Sequence, residues 1–407
     1  MSELSTHLNM PERVPMAGRL FIAALSRMKV GHVSVTTPEG HQLTFGDLHA
    51  QPAASLTIHD WGACKRILVA GDIGFAEAWR ARWIDTPNLT DLLKLAIRNE
   101  SALEGLVSGK RLASIWYAIL HAFRRNTKRG SQRNIHAHYD LGNDFYKLWL
   151  DPSWTYSSAI FNGRFDQSLE AAQGAKYQRI IDQLGLKPGM RVLEIGCGWG
   201  GFALHAARQG IQVHGITISR AQFDIATKRI ADAHLTHFAS FELRDYRDLD
   251  GSWDAIVSIE MFEAVGESYW KTYFRKVHDL LRPGRQALIQ SITIGESRFA
   301  SYRASSDFIR EYIFPGGMLP SPERFIATAA SAGLQTHDNF AFGPDYAETL
   351  RRWRHDVDTH AQQIASLGFD DAFMRIWQLY LCYCEAGFDE GRTDVNQFLL
   401  TRTEHTS

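Results

Sequence analysis

The chain lacks the features that mark secreted, membrane-spanning or nucleic-acid-binding proteins. Its 407 residues include four cysteines, Cys64, Cys197, Cys382 and Cys384. None forms a CxxC pair, and Cys382-Tyr383-Cys384 sets two thiols too close for an ordinary disulfide. So sparse a set excludes a disulfide-stapled scaffold and predicts a reduced, cytoplasmic protein. No apolar run reaches the roughly 18 residues of a membrane span. The start, MSELSTHLNMPERVPMAGRLF, has no cationic stretch followed by an apolar core, so no signal peptide is expected. Net charge is almost absent: 44 Lys+Arg against 45 Asp+Glu leave −1. A nucleic-acid partner calls for a strong basic excess, so none is expected. No metal site is predicted either.

One absence is local. Gly105–Tyr139 holds no Asp or Glu, yet it carries Lys110, Arg111, Arg124, Arg125, Lys128, Arg129 and Arg133. These bases flank an apolar, aromatic run, Leu112–Phe123. The composition suits a membrane-docking surface, where each base near an anionic leaflet contributes ~1 kcal/mol. It equally suits an interdomain helix with solvated basic flanks. The shift in composition divides the chain into an N-terminal domain (1–123), a basic linker (124–134) and a larger domain (135–407).

What is present reads as α/β. Helical spacing covers Met16–Met28, and His32–Phe45 alternates on both sides of Pro38-Glu39-Gly40, which predicts a hairpin. A further strand falls at Ser55–His59. From Lys187 the pattern becomes strand, helix, strand. Strands are predicted at Met190–Ile195, Ile211–Ile218, Phe238–Leu243, Trp253–Ile259 and Gln286–Ile292. Helices fall at Phe202–Arg208 and Ala221–Ala233. A long helical region, Tyr346–Phe388, precedes a last strand at Asp394–Thr401. The alternation predicts a doubly wound parallel sheet with a smaller N-terminal α+β domain.

The first strand runs into Gly196-Cys197-Gly198-Trp199-Gly200-Gly201, with Glu194 just ahead. Glycines let a backbone turn sharply and approach a ligand, and a helix N-terminus offers free N–H groups. Such a turn holds either a dinucleotide or the methionyl and ribose part of S-adenosylmethionine (SAM). A dinucleotide site wants an acid at the end of the second strand. Here that end is His214-Gly215-Ile216-Thr217-Ile218-Ser219, without one. Arg244-Asp245-Tyr246, ahead of the fourth strand, suits an adenine contact.

At this point the chain resembles the cyclopropane-fatty-acyl-phospholipid synthase family, which includes the mycolic acid cyclopropane synthases. The resemblance covers most of the chain. Its motifs are HYDLGNDF (His138–Phe145), Leu150-Asp151-Pro152 with Thr155-Tyr156-Ser157, LEIGCGWGGFA (Leu193–Ala203), and Gly215–Ser219 with Gln222. Further matches are Met261-Phe262-Glu263, Tyr312–Pro315, Phe342-Gly343 with Asp345-Tyr346, and Gly71–Ala78. LEIGCGWG alone marks many methyltransferases; the combination is far more specific.

The resemblance implies a class I, Rossmann-like SAM methyltransferase sheet and transfer of a methylene from SAM across a cis double bond of a phospholipid acyl chain. The alternative is a C-methyltransferase on the same lipids that makes methyl- or methylene-branched chains. It implies a SAM site at Tyr139, Tyr156, Ser157, Glu194, Gly196, Gly198, Gly200, Thr217, Gln222, Asp245 and Tyr246. It implies bicarbonate held by Glu263 and Tyr346, and it puts the family's C-terminal cysteine at Cys384, although the chemistry needs no covalent enzyme intermediate. It also implies that residues 1–123 bind lipid, that the protein visits the inner face of a phospholipid membrane peripherally, and that it forms a homodimer.

The chemistry accounts for these residue types. An isolated alkene is a weak nucleophile, so positioning must supply much of the acceleration. The methylated alkene is a carbocation, which an aromatic face stabilises by roughly 0.5–2 kcal/mol. Tyr139, Tyr156, Tyr312, Phe314 and Tyr346 are the candidates. A base must then take a proton, and a held bicarbonate avoids ester formation with a side chain. The family pattern breaks at that cage, with Ser158 for Cys, Gln290 for His and Ala264 for His. Ser158 and Gln290 both retain hydrogen-bonding capacity. If the cage fails, proton loss from the chain gives a methylene-branched product instead of a ring.

Overall fold

A computed structural model describes residues 14–103 and 141–403. The expected basic segment and linker lie outside these residues. The chain divides into two compact units, one of Met1–Ala118 with Phe369–Glu390, the other of Ile119–Gly368 with Gly391–Ser407.

In the first unit, a helix (Met16–Leu25) leads to β1 (His32–Thr36), β2 (Gln42–Gly46) and β3 (Ala53–Ile58). After a helix (Gly62–Arg80) comes β4 (Ile84–Asp85), and then a helix at Leu89–Arg98. The sheet order is β2-β1-β3-β4. The expected hairpin forms, with Val33 opposite Phe45 and Val35 opposite Leu43. These four are buried while Ser34 and Thr44 face out, the period-two alternation that made the hairpin legible.

The helix Asp371–Asp389, expected in the 135–407 domain, groups with this first unit. The reason is a buried cation. Arg375 donates from Nε to Trp79 O at 2.5 Å and from Nη2 to Ile84 O at 2.9 Å, and pairs with Asp85. Its guanidinium lies 3.8 Å from the Trp79 ring centroid. Trp79 returns its indole N–H to Arg375 O at 2.9 Å. A guanidinium has donors enough for two carbonyls and a carboxylate at once.

The second unit carries seven strands. β5 (Arg191–Ile195), β6 (Gln212–Thr217), β7 (Ala239–Leu243), β8 (Trp253–Ile259) and β9 (Leu281–Ile294) are followed by β10 (Leu334–Ala341) and β11 (Thr393–Arg402). The order is β10-β11-β9-β8-β5-β6-β7. Neighbours from β7 to β9 pair in parallel, as expected from the alternation. β11 departs from the expectation, running antiparallel to both β9 and β10. β10 itself is alternating and half polar, LQTHDNFA, as an edge strand must be, and so lacks the apolar run that marks its neighbours.

Both faces are covered. Helices Trp270–Leu280 and Pro322–Ser331 pack on one side around Phe262, Phe274 and Phe325. Leu169–Gln183, Gly201–Ala207 and Arg220–Asp232 pack on the other around Tyr177, Phe202 and Ile230. The connections leaving β5 and β8 take opposite faces. A crevice therefore opens beyond the carboxyl ends of these two strands, where open α/β sheets bind ligands.

Replacing Arg375 by Ala strands two buried carbonyls and is expected to cost about 3–5 kcal/mol. Urea unfolding followed by circular dichroism measures this. Arg375→Lys should recover less than half, because an ammonium cannot span both carbonyls.

Candidate active site

The glycine turn closes β5. Gly196 and Cys197 donate their N–H groups to Ile216 O on β6 at 3.0 and 2.9 Å, which fixes the turn against the sheet. Gly196, Gly198 and Gly200 have φ of 82°, 51° and 80°, the left-handed region that favours glycine. A Cβ on Gly196 would lie 2.8 Å from Met261 Cγ, whereas one on Gly198 would meet nothing within 4 Å. The turn is thus packed from behind and open at Gly198. Asn143, from the LGNDF motif, accepts from Trp199 Nε1 at 2.9 Å and so ties that motif to the turn.

At the end of β6, Thr217 Oγ1 donates to Gln222 Oε1 at 2.9 Å, and both residues are buried. No acid stands there. After β7, both Asp245 oxygens accept from Arg247, at 2.8 and 2.6 Å. Tyr246 packs edge-on against Tyr273, and burial raises its phenol to about 12. Glu194 is buried, its Oε2 has no hydrogen-bond partner among the described residues, and burial raises its carboxyl well above the usual range, against the pull of Lys176. An orphaned acid beside an open glycine turn, with polar ends on the next two strands, fits SAM. The ammonium of its methionyl part would supply donors to Glu194.

Tyr156 stands among Tyr146, Trp149 and Trp353, with ring centroids 5.6, 5.4 and 5.3 Å away. Ser157 Oγ accepts from the buried Lys176 ammonium. Burial pushes that ammonium down to about 7, with Glu260, Asp151 and Glu194 opposing. Tyr139 lies outside the described residues. Cys384 is partly buried on the helix Asp371–Asp389 of the first unit.

The expected bicarbonate donors converge, but on a group that sequence reasoning missed. Glu260 directly follows β8 with φ of 48°. Its Oε1 accepts from Ser158 N at 2.9 Å and from Gln290 Nε2 at 2.7 Å. Its Oε2 accepts from the Tyr346 hydroxyl at 2.5 Å. The Ser158 hydroxyl, expected to serve the cage, instead donates to Ala159 O at 3.0 Å. Ser158 N, one Gln290 amide N–H and the Tyr346 hydroxyl are therefore already engaged by a side-chain carboxylate. The residues present do not fit a bicarbonate in that position.

The Gln290 amide has only one workable orientation. Arg179 Nη1 donates to Gln397 Oε1 at 2.7 Å, and Gln397 Nε2 donates to Gln290 Oε1 at 3.0 Å. A guanidinium cannot accept, so Gln397 must turn its oxygen to Arg179. The relay leaves Gln290 only its NH₂ for Glu260. The loop after Ser158 is held from the helix Gly343–Thr359. Thr349 Oγ1 accepts from Ala159 N at 3.1 Å and Asp345 from Phe161 N at 3.0 Å.

Glu263 faces β9. It accepts from Ile292 N, and its Oε2 is buried without a partner. Its own carbonyl accepts from Met318 N at 2.9 Å. Burial first, and then the nearby charge of Glu260, raises its carboxyl to about 8. The shift favours the neutral acid over the carboxylate. Burial raises Glu260 as well, but Lys176 and three donors act against it.

A sheet of this order, a glycine turn at the end of its first parallel strand and an open crevice there define a SAM-dependent methyltransferase. The family model described as mycolic acid cyclopropane synthetase matches residues 126–398. The tuberculostearic acid methyltransferase UfaA1 of Mycobacterium tuberculosis is 39% identical over 360 residues, covering 86% of this chain and 84% of that one. The cyclopropane-fatty-acyl-phospholipid synthase of Escherichia coli K12 is 35% identical over 339 residues, covering 83% and 85%. Among solved structures, mycolic acid cyclopropane synthase CmaA1 complexed with SAH and CTAB aligns with a TM-score of 0.62 at 32% identity. That alignment covers 66% of this chain and 98% of CmaA1. The chain belongs to the mycolic acid cyclopropane synthetase family of SAM-dependent fatty acid methyltransferases.

The Glu263 electrostatics have a measurable sign. Its folded pKa, about 8, lies above the unfolded value near 4.5, so the folded state binds more protons between them. Stability from this group is full below pH 4.5 and is lost as pH rises toward 8. Glu263→Gln, an isostere of the neutral acid, should match the parent near pH 5. It should exceed the parent's stability at pH 8–9, in denaturant titrations at both pH values. A constant difference across that range would contradict the assignment.

Proposed function

We propose that the protein methylates a cis alkene carbon of an unsaturated phospholipid acyl chain, with a methylene-branched chain as product. The observation that carries this reading is the carboxylate of Glu260 seated on Ser158, Gln290 and Tyr346.

SAM supplies an electrophilic methyl group when bound; Glu194, the Gly196–Gly200 turn, Thr217, Gln222, Asp245 and Tyr246 are the residues that hold it. Tyr156, partly exposed on the buried rings of Tyr146, Trp149 and Trp353, supplies a π-face to a carbocation, worth roughly 0.5–2 kcal/mol. The outcome then depends on timing. Ring closure requires the new methyl group to lose a proton at once. A fixed carboxylate tied by three hydrogen bonds cannot advance on that methyl group as a free anion can. The adjacent hydride shifts first, which moves the positive charge to the branched, more stable carbon. Proton loss from the methyl group then leaves C=CH₂.

The similarity to tuberculostearic acid methyltransferase supports this reading, and the similarity to the cyclopropane synthase supports the same lipid class. The acid-free Gly105–Tyr139 stretch is the segment that brings the enzyme to an anionic membrane face. Among the described residues no helix is long and apolar enough to cross a membrane.

The test is mass spectrometry of lipids after incubating the enzyme with SAM and unsaturated phospholipid vesicles. A gain of one CH₂ with the product still reducible by diimide is expected. A gain of one CH₂ with the double bond gone indicates a ring and overturns the product assignment. No gain overturns the reading altogether.

A further inference from the structure

We propose that Glu260 is the proton acceptor of the reaction, a built-in carboxylate that stands in for the bicarbonate its family resemblance implies. The proposal rests on the methyl-transfer reading above.

Three observations carry it. First, the donors that would hold a bicarbonate all point at Glu260: one backbone N–H, one amide and one phenol. Second, the Arg179–Gln397–Gln290 relay fixes the amide so that it can only donate toward this position. The site is thus polarised for an anion whatever the ligand state. Third, Glu260 has φ of 48°, a conformation that carbon side chains adopt at a cost and that concentrates at functional sites. A glycine would sit there without strain. The chain has kept an acid where the backbone favours no side chain.

The charged groups around Glu260 agree with the role. Lys176 stabilises its anion, and burial with the charge of Glu260 raises Glu263 to about 8, which favours the neutral acid beside it. Among the described residues Glu260 Oε2 accepts one hydrogen bond, from Tyr346, which leaves it a lone pair for a proton. The step balances. The C–H electron pair of the new methyl group becomes the π bond that quenches the cation, and the proton passes to Glu260 Oε2. The protonated acid then releases it to solvent between turnovers. The hydrogen bonds that hold the carboxylate back also keep it from collapsing onto the cation as an ester.

The test uses the full chain and Glu260→Gly, which removes the carboxylate while suiting the left-handed backbone. Glu260→Gln, checked in parallel, keeps the volume but not the base. Both variants should remain folded by circular dichroism, even if they melt lower than the parent, and should bind S-adenosylhomocysteine normally by calorimetry. Methyl transfer should fall about 100-fold or more in each, the scale of a lost general base. Added formate or bicarbonate should restore Glu260→Gly at least about tenfold and leave Glu260→Gln unrescued. The parent should work equally well in bicarbonate-free buffer.

A second readout does not depend on activity: ¹³C NMR of labelled bicarbonate should show binding to Glu260→Gly and none to the parent. Bicarbonate binding by the parent, a parent that stops without it, or a Glu260→Gly variant that is fully active without any added anion would each overturn the proposal. If the parent binds no bicarbonate and needs none but makes a ring, the product assignment fails while the role of Glu260 stands. If the parent alkylates no lipid, the functional reading fails, and the binding experiment still decides whether Glu260 replaces the anion.

Discussion

A carboxylate withdrawn from water must find donors, and in this enzyme the search organises the catalytic unit. Glu260 draws one donor from the loop at Ser158, one from β9 and one from the helix Gly343–Thr359. Those three segments are far apart in sequence. Leaving such a group unpaired would cost several kcal/mol, so the position of each segment is set by the anion as much as by its own packing. The Arg179–Gln397–Gln290 chain extends the constraint across two strands, because a guanidinium fixes the direction of every amide after it.

The same anion decides the state of its neighbour. Glu260 and Glu263 lie three residues apart and share a dry region, but their surroundings differ. Glu260 has three donors and the Lys176 ammonium, while Glu263 has a backbone N–H from Ile292 and a like charge nearby. Burial raises both carboxyls; Lys176 and three donors oppose that rise at Glu260, whereas the charge of Glu260 adds to it at Glu263, so the two acids are pushed apart. Lys176 pays the converse penalty: its burial draws its ammonium to about 7, so its support of Glu260 weakens in alkali.

Much of this was legible in the sequence, and what was not follows a physical rule. Buried strands such as β8 announce themselves as apolar runs, and the β1–β2 hairpin as strict alternation around a Pro-Glu-Gly turn. β10 escaped because an edge strand is half polar, and the reversed direction of β11 escaped because no local pattern encodes strand polarity. The glycine turn and its cofactor were readable, since φ above zero selects glycine. Glu260 was hidden for the complementary reason. It holds a left-handed conformation that glycine would mark, and its three partners are set by tertiary structure alone. Gln290 could be seen as unusual, but not that Gln397, 107 positions on, would orient it.

An aromatic path connects the two ends of the site. Trp199 of the glycine turn touches Tyr146 at 5.0 Å, Tyr146 touches Tyr156 at 5.6 Å, and Tyr156 touches Trp353 at 5.3 Å. Trp353 in turn meets Tyr346 edge-on at 6.2 Å, and Tyr346 donates to Glu260. Neither component suffices alone for chemistry through a carbocation. A π-surface stabilises the cation but gives its charge no exit, and a free carboxylate offers an exit that includes trapping as an ester. A carboxylate restrained by three donors at the end of an aromatic wall meets both demands. It is close enough in charge to draw a proton and too firmly held to form a bond to carbon.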